Sequence, residues 1–169
     1  MRIYLDTNVF VIAVEHTGKL NDRVQELMKR GQRAPGLLVT SELTLAELLV
    51  KPFQLRSEEG ITSALRRALD HPIALTPGTL AAIYADLISQ RPGLQVCPIE
   101  RDVLVLSAFH RADDNSIKLP DAIHLATAER ADCTHILSGD RKLRPSHHFN
   151  FQRVDLQLRA LEGLLESLE

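Results

Sequence analysis

Four carboxylates stand where structural elements begin or end, far apart along the chain: Asp6, Glu47, Asp121 and Asp140. Asp6 closes the apolar run of RIYLDTN, Glu47 lies in TLAELLV, Asp121 opens LPDAIHLATA, and Asp140 ends THILSGD. Like charges at short range repel one another and lose hydration, so acids do not gather for the sake of stability. Brought together by a fold, they would hold a cation and support the chemistry that a cation makes accessible.

Each acid also has a structural explanation. Asp6 or Asn8 can cap the helix after the first strand, and with two oxygens a carboxylate can cap and bind a cation at once. Thr44-Leu45-Ala46-Glu47 fits a capping box in which the glutamate reaches back to the cap residue. Yet Glu47 sits among Leu43, Leu45, Ala46, Leu48, Leu49 and Val50, so its charge is either capped or faces a polar cleft. Asp121 follows Pro120 and suits a first helical turn, where the dipole favours an acid. Asp140 after Gly139 fits an ordinary turn aspartate. Four such placements in one chain are far less expected by accident than any one alone.

These positions require particular elements around them. Ile3 to Leu5 is a short apolar run suited to a buried parallel strand, with a helix expected from Asn8 to about Glu15. Leu20, Val24, Leu27 and Met28 share one helical face before Gly31 stops the run. Leu37 to Thr40 reads as a second strand, and residues 43 to 50 as a helix ending before Pro52. Ile61, Leu65 and Leu69 mark one helix. Leu80, Ile83, Tyr84, Leu87 and Ile88 mark another, started by Thr76-Pro77 and stopped by Arg91-Pro92-Gly93. Together they predict a helical hairpin projecting from the sheet.

Leu94 to Val96 predicts a strand, Val103 to His110 and Pro120 to Arg130 two helices, His135 to Leu137 a strand, and Phe149 to Val154 an edge strand. Ala122, Ile123, Leu125, Ala126 and Ala128 would let the second of those helices pack closely on a sheet. Strands alternating with helices argue for an α/β layered fold with a mainly parallel sheet. Ligands in such folds bind beyond the carboxyl ends of the strands, where Asp6 and Asp140 stand.

The 169 residues are 44% hydrophobic, which suits a single domain over 1–169 with a real core. Only 4% are aromatic, so aliphatic side chains must build it. With 20 basic and 22 acidic residues the net charge is −2, which argues against nucleic-acid binding by bulk charge. Such a contact would need a local basic patch or a metal ion. Arg141, Lys142 and Arg144 follow Asp140, and Arg101, Arg111 and Lys118 lie nearby in sequence, but solvated surface charge explains each of them. Cys97 and Cys133 lack CxxC spacing and read as reduced, inert thiols. No apolar run approaches a membrane span and MRIYLDTN has no signal core, so a soluble cytoplasmic protein is expected.

Among seven histidines, adjacent His147-His148 make poor zinc chelators without further spaced ligands. His124, three residues after Asp121, could touch the cleft but reads as a packed or surface residue. Leu158, Leu161, Leu165 and Leu168 form a heptad-like seam that packs on its own domain or pairs with another chain.

At IYLDTNVF (3–10), TSELTLAELLVKP (40–52), VCPIERDVLVLSA (96–108) and LPDAIHLATAERADCTHILSGDRKL (119–143) the sequence resembles PIN-domain ribonucleases. It is most similar to the VapC-type toxins of VapBC toxin–antitoxin pairs. The order and spacing of these segments cover most of the chain, and LPDAIHLATA followed by a strand and SGD is the most specific part. The middle and tail are longer than in the shortest family members.

The resemblance implies a three-layer α/β/α sandwich with a mainly parallel central sheet, here with the helical-hairpin extension. It implies that Asp6, Glu47, Asp121 and Asp140 bind Mg²⁺ or Mn²⁺ and carry catalysis, supported by Thr7, Asn8 and Ser138. It further implies an RNA substrate, a homodimer, and a cognate antitoxin whose C-terminal segment enters the active-site groove.

Mg²⁺ prefers oxygen ligands and keeps several waters, so Asp6 and Asp121 are expected as direct ligands, with Asp140 and Glu47 direct or through water. Such an ion would acidify a water and polarise the scissile phosphate, and a second ion about 4 Å away could stabilise the leaving oxygen. Clustered acids without metal should raise at least one carboxyl pKa. Other readings are a PIN nuclease that is not a toxin and a degenerate PIN scaffold without turnover. A haloacid-dehalogenase-like phosphatase also starts from a strand-end aspartate, but needs an acid where Asn8 stands.

Overall fold

A computed structural model of the chain describes residues 1–54, 80–144 and 151–168. Five short strands form one sheet: β1 (Ile3–Leu5), β2 (Leu38–Ser41), β3 (Leu94–Cys97), β4 (His135–Ser138) and β5 (Gln152–Asp155). Their order is β3-β2-β1-β4-β5, and every neighbouring pair is parallel. The chain builds outward from β1 on one side through β2 and β3, then crosses to the other side for β4 and β5. The reversal falls between β1 and β4, so their carboxyl ends flank the crevice where open α/β sheets bind ligands.

The described helices are α1 (Thr7–Glu15), α2 (Lys19–Arg33), α3 (Glu42–Gln54), α4 (Leu80–Ser89), α5 (Arg101–Asp113), α6 (Leu119–Arg130) and α7 (Leu158–Glu166). Alternation along β1 sorts the layers. Ile3 and Leu5 join Leu38, Leu137 and Val154 beneath Phe10, Leu27, Met28, Leu161 and Leu165 of α1, α2 and α7. Tyr4 points the other way and joins Val39 and Ile136 beneath Ala122, Leu125 and Ala128 of α6. Covered on both faces, β1 needs no polar residue until Asp6. The architecture is the expected α/β/α sandwich, with a sheet that is wholly parallel.

Residues 122–128 of α6 are all buried. One face lies on the sheet, while Ile123 and Ala126 pack with Val103 of α5. Alanines at 122, 126 and 128 permit that double contact, which fixes the helix that carries Asp121.

Two expected helix ends are overturned. Gly31 does not stop α2, which runs on to Arg33. Its role is close approach: a Cβ at Gly31 would lie 2.3 Å from Leu38 Cδ1. Gly93, at φ +80°, closes on the same spot, where its Cβ would lie 2.2 Å from the Gly31 carbonyl oxygen. Pro52 does not end α3 either, because it sits buried in the last described turn. One lost backbone bond near a helix end is a smaller disruption than a proline at mid-helix.

The second arm of the expected hairpin is α4, and it does not project: Tyr84 and Ile88 are buried in the main core. The first arm, at residues 61–69, the Thr76-Pro77 start and His147-His148 lie outside the described residues. The edge strand begins later than expected, at Gln152. The tail seam packs on its own fold, with Leu161, Leu164 and Leu165 buried against the main core. Cys97 and Cys133 are both free. Burial pushes the Cys133 thiol up to about 12, so it stays protonated and inert. No described helix is long and apolar enough to cross a membrane.

Gly31→Ala is expected to cost about 1–3 kcal/mol, because the Leu38 side chain must repack around the new methyl. Gly93→Ala should cost more, since it meets backbone and adds left-handed strain. Urea unfolding ranks the two; an equal or reversed order would contradict this packing.

Candidate active site

Strand β1 delivers Asp6 into the crevice, where it is 7% exposed and caps α1. Its Oδ1 accepts from Thr7 N at 2.7 Å. Its Oδ2 accepts from Asn8 Nδ2 at 2.8 Å and from the buried Ser138 hydroxyl at 2.5 Å. The backbone N–H of Asp6 bonds Leu137 O, continuing the pairing of β1 with β4. Capping is thus a real duty of Asp6, and three neutral donors hold its carboxylate in one orientation.

Ser138 also carries the link to Asp140, whose backbone N–H donates to the same Ser138 oxygen at 2.9 Å. Gly139 N donates to Asn8 Oδ1 at 3.0 Å. Asn8 therefore spends both ends of its amide joining the turn after β4 to Asp6, a tying role that a second acid could not fill in the same way. Asp140 Oδ1 accepts from Lys142 N at 2.8 Å, and its carbonyl accepts from Arg153 of β5. The turn aspartate reading is correct as far as that bond goes, with the other oxygen left over.

Glu47 is not a capping-box residue. Helix α3 starts earlier than expected, at Glu42, and Leu43 N donates to Ser41 Oγ. That shift places Glu47 in the second turn, facing the crevice. Its Oε2 accepts from the Thr7 hydroxyl and lies 3.1 Å from His124 Nε2. Burial would raise its carboxyl, but the bonds from His124 and Thr7 outweigh that and hold it below the usual glutamate value. Glu47 stays ionised.

Asp121 stands in the first turn of α6 after Pro120. Its carboxylate has no hydrogen-bond partner among the described residues. Its pKa is raised, first by burial, then by repulsion from Asp140, with smaller contributions from Asp6 and Glu47; His124 partly offsets the rise. Asp121 is therefore within electrostatic reach of the other three acids, though all four come from separate parts of the chain.

His124 is the residue that spacing alone undervalued. It is 2% exposed, packed as expected, yet it borders the acids, with Nε2 4.0 Å from Asp6 Oδ1. Its Nδ1 lies 2.7 Å from the hydroxyl of Tyr4. The signal was available: His124 is three residues after Asp121 on one helix, and Tyr4 is two before Asp6 on one strand, so each shares a face with an acid.

Among the described residues no three His, Cys, Asp or Glu side chains converge as a ready chelating group. A soft metal held by direct ligation alone does not fit. The donors are oxygens, Asp121 is unbonded and destabilised by its neighbours, and one oxygen each of Glu47 and Asp140 lacks a described partner. That set fits a hard divalent cation, which keeps its waters and needs only one or two direct carboxylates.

Because Asp121 has a folded-state carboxyl raised above its unfolded value, the stability tied to it is present at low pH and lost as pH rises through the folded value. Asp121→Asn should therefore stabilise the fold at pH 7, by less than ~1 kcal/mol in a site open to screening, and raise the melting midpoint accordingly. The gain should vanish below the unfolded aspartate value of about 3.9. Thermal melts from pH 3 to 8 would check it; a less stable variant at pH 7 would reject the repulsion.

The PIN domain matches residues 3–145 of the chain. No curated protein matches the sequence. Among solved structures, the fold is similar to VapBC2 from Rickettsia felis bound to a DNA fragment from their promoter, with 14% identity and TM-score 0.58 over 90% of this chain and 98% of that one. DNA-bound VapBC from Salmonella typhimurium is similar at 13% identity and TM-score 0.54, over 93% and 99% of the two chains. VapC20 from Mycobacterium tuberculosis, a sarcin–ricin loop cleaving toxin, aligns at 14% identity and TM-score 0.52 over 83% and 92%. At these identities the likeness is one of fold. With a family match over most of its length and a wholly parallel five-stranded sheet, this chain belongs to the PIN-domain family.

Proposed function

We propose that this protein is a Mg²⁺- or Mn²⁺-dependent ribonuclease that hydrolyses RNA phosphodiesters internally, and that it is the toxin of a toxin–antitoxin pair. The observation that carries the reading is the placement of Asp6, Glu47, Asp121 and Asp140 at the switch point of the sheet, where burial and then the neighbouring acids raise the Asp121 carboxyl. A site of this charge opposes the RNA backbone unless a cation offsets it. The toxin assignment is supported by likeness to chains crystallised as VapBC complexes and to VapC20, which cleaves the sarcin–ricin loop. Their partners support a cognate antitoxin for this chain.

Asp6 and Asp121 would hold the cation, with Asp140 and Glu47 direct or through water. When bound, the ion supplies an acidified water and charge neutralisation at the scissile phosphate. The chain's own groups do the positioning. Ser138 and Asn8 fix the Asp6 carboxylate, and the same serine sets the backbone at Asp140. Thr7 spends its backbone N–H on Asp6 and its hydroxyl on Glu47, so one residue spaces two acids. Glu47, kept ionised, has an oxygen left to take a proton from an attacking water.

We read residues 1–169 as one domain, because β5 extends the sheet and α7 covers its core beyond the family match. A homodimer is supported by Val105 and Phe109, one turn apart on α5 and 66% and 53% exposed. Charge introduced there by Val105→Asp should yield a monomer in light scattering; a wild-type monomer would reject the dimer.

Asparagine caps a helix about as well as aspartate, so Asp6→Asn should keep the fold. It removes a charge from the cation site. RNA cleavage with Mn²⁺ should fall at least ~100-fold, equivalent to a loss of a few kcal/mol from the transition state. Gel-resolved cleavage of structured RNA checks this, and undiminished cutting by the folded variant would end the assignment of Asp6.

A further inference from the structure

Glu47 receives two hydrogen bonds on a single oxygen. Thr7 Oγ1 and His124 Nε2 both meet Oε2, while Oε1 has no partner among the described residues. An ionised carboxylate only accepts, so the imidazole must present its Nε2–H to Glu47. In the neutral ring Nδ1 is then the acceptor, and the hydroxyl of Tyr4, 2.7 Å away, is the donor that meets it. The chain Tyr4 to His124 to Glu47 has one consistent direction of donation.

Its anchors are rigid. Tyr4 is 0% exposed in the central strand, and His124 lies within the fully buried stretch of α6. Tyr4 meets the His124 ring edge-on, with centroids 5.8 Å apart and planes at 64°. Glu47, by contrast, belongs to α3 and is only half-buried. Glu47 is thereby tied to a buried strand and a buried helix.

We propose that His124, oriented by Tyr4, is the positioning residue for Glu47: it occupies Oε2 so that Oε1 alone faces the cation and the attacking water. This rests on the ribonuclease reading above and adds to it a residue outside the four acids. In this role His124 acts through Glu47, as partners one bond removed from a ligand commonly do.

The test compares wild type with Tyr4→Phe, His124→Gln and His124→Ala, each checked for folding by thermal melt. Tyr4→Phe keeps the packing and removes only the hydroxyl. Glutamine offers an amide N–H near the position of Nε2, whereas alanine offers nothing. Mn²⁺ binding by calorimetry should weaken about 10–100-fold in His124→Ala and less in Tyr4→Phe, and His124→Gln should recover much of the loss. For RNA cleavage, kcat should fall in the same order while KM stays near wild type.

Imidazole ¹⁵N signals at pH 8 should show a protonated Nε2 and a bare Nδ1 at His124, and that pattern should be disturbed in Tyr4→Phe. Folded Tyr4→Phe and His124→Ala proteins with wild-type Mn²⁺ affinity and kcat would overturn the proposal, as would a ring protonated at Nδ1 alone. If wild type itself neither binds Mn²⁺ nor cleaves RNA, the ribonuclease reading fails. The nitrogen signals, which need neither, still decide whether Tyr4 sets the tautomer.

Discussion

Repulsion of Asp121 by three other acids is the constraint to which the rest of this structure answers. Among the described residues, none of Asp6, Glu47, Asp121 and Asp140 is paired with a lysine or arginine. Their oxygens are instead held by neutral donors: the Thr7 amide and hydroxyl, the Asn8 amide and the Ser138 hydroxyl, with His124 beside them. Neutral donors fix orientation without cancelling charge. The site therefore keeps its negative charge, and Asp121, without a donor among the described residues, has its carboxyl raised by burial first and by the neighbouring acids second. A fold selected for stability alone would place a cationic side chain there.

Holding such a site together requires a frame that does not yield. Strand β1 is only three residues long, yet both of its neighbours are parallel strands and both of its faces are buried. Asp6 and Ser138 are consequently locked across the β1–β4 boundary. The helix carrying Asp121 is enclosed between the sheet and α5. Helix α3 brings Glu47 in from the side, where the Thr7 hydroxyl of α1 and His124 of α6 both meet it.

Much of this was legible in the order of residues. The apolar run before Asp6, the alanine-rich helix after Pro120 and the strand before Ser138-Gly139-Asp140 each carried a clear periodicity, and their elements form close to the expected limits. Two expectations failed, one to a contact between distant segments and one to a competing local cap. Gly31 looked like a helix stop because glycine is common there, but its missing side chain makes room for Leu38 and for the turn at Gly93. Thr44 to Glu47 looked like a capping box because the spacing fits, but Ser41 already caps the helix one turn earlier. The Gly31 contact joins segments far apart in the chain, whereas the Ser41 cap is local and takes the role that the spacing offered to Thr44.

By itself the sequence determined the types of chemistry-bearing residue, the periodicities of strand and helix, and the strand-end positions of Asp6 and Asp140, since these depend on local preference and on which side chains avoid water. Only the tertiary structure decided which acids meet, which carboxyl is raised, and that His124 stands between Tyr4 and Glu47. Those outcomes depend on distances across the sheet, between residues 77 and 120 positions apart, and electrostatic energies follow distance and burial rather than order along the chain.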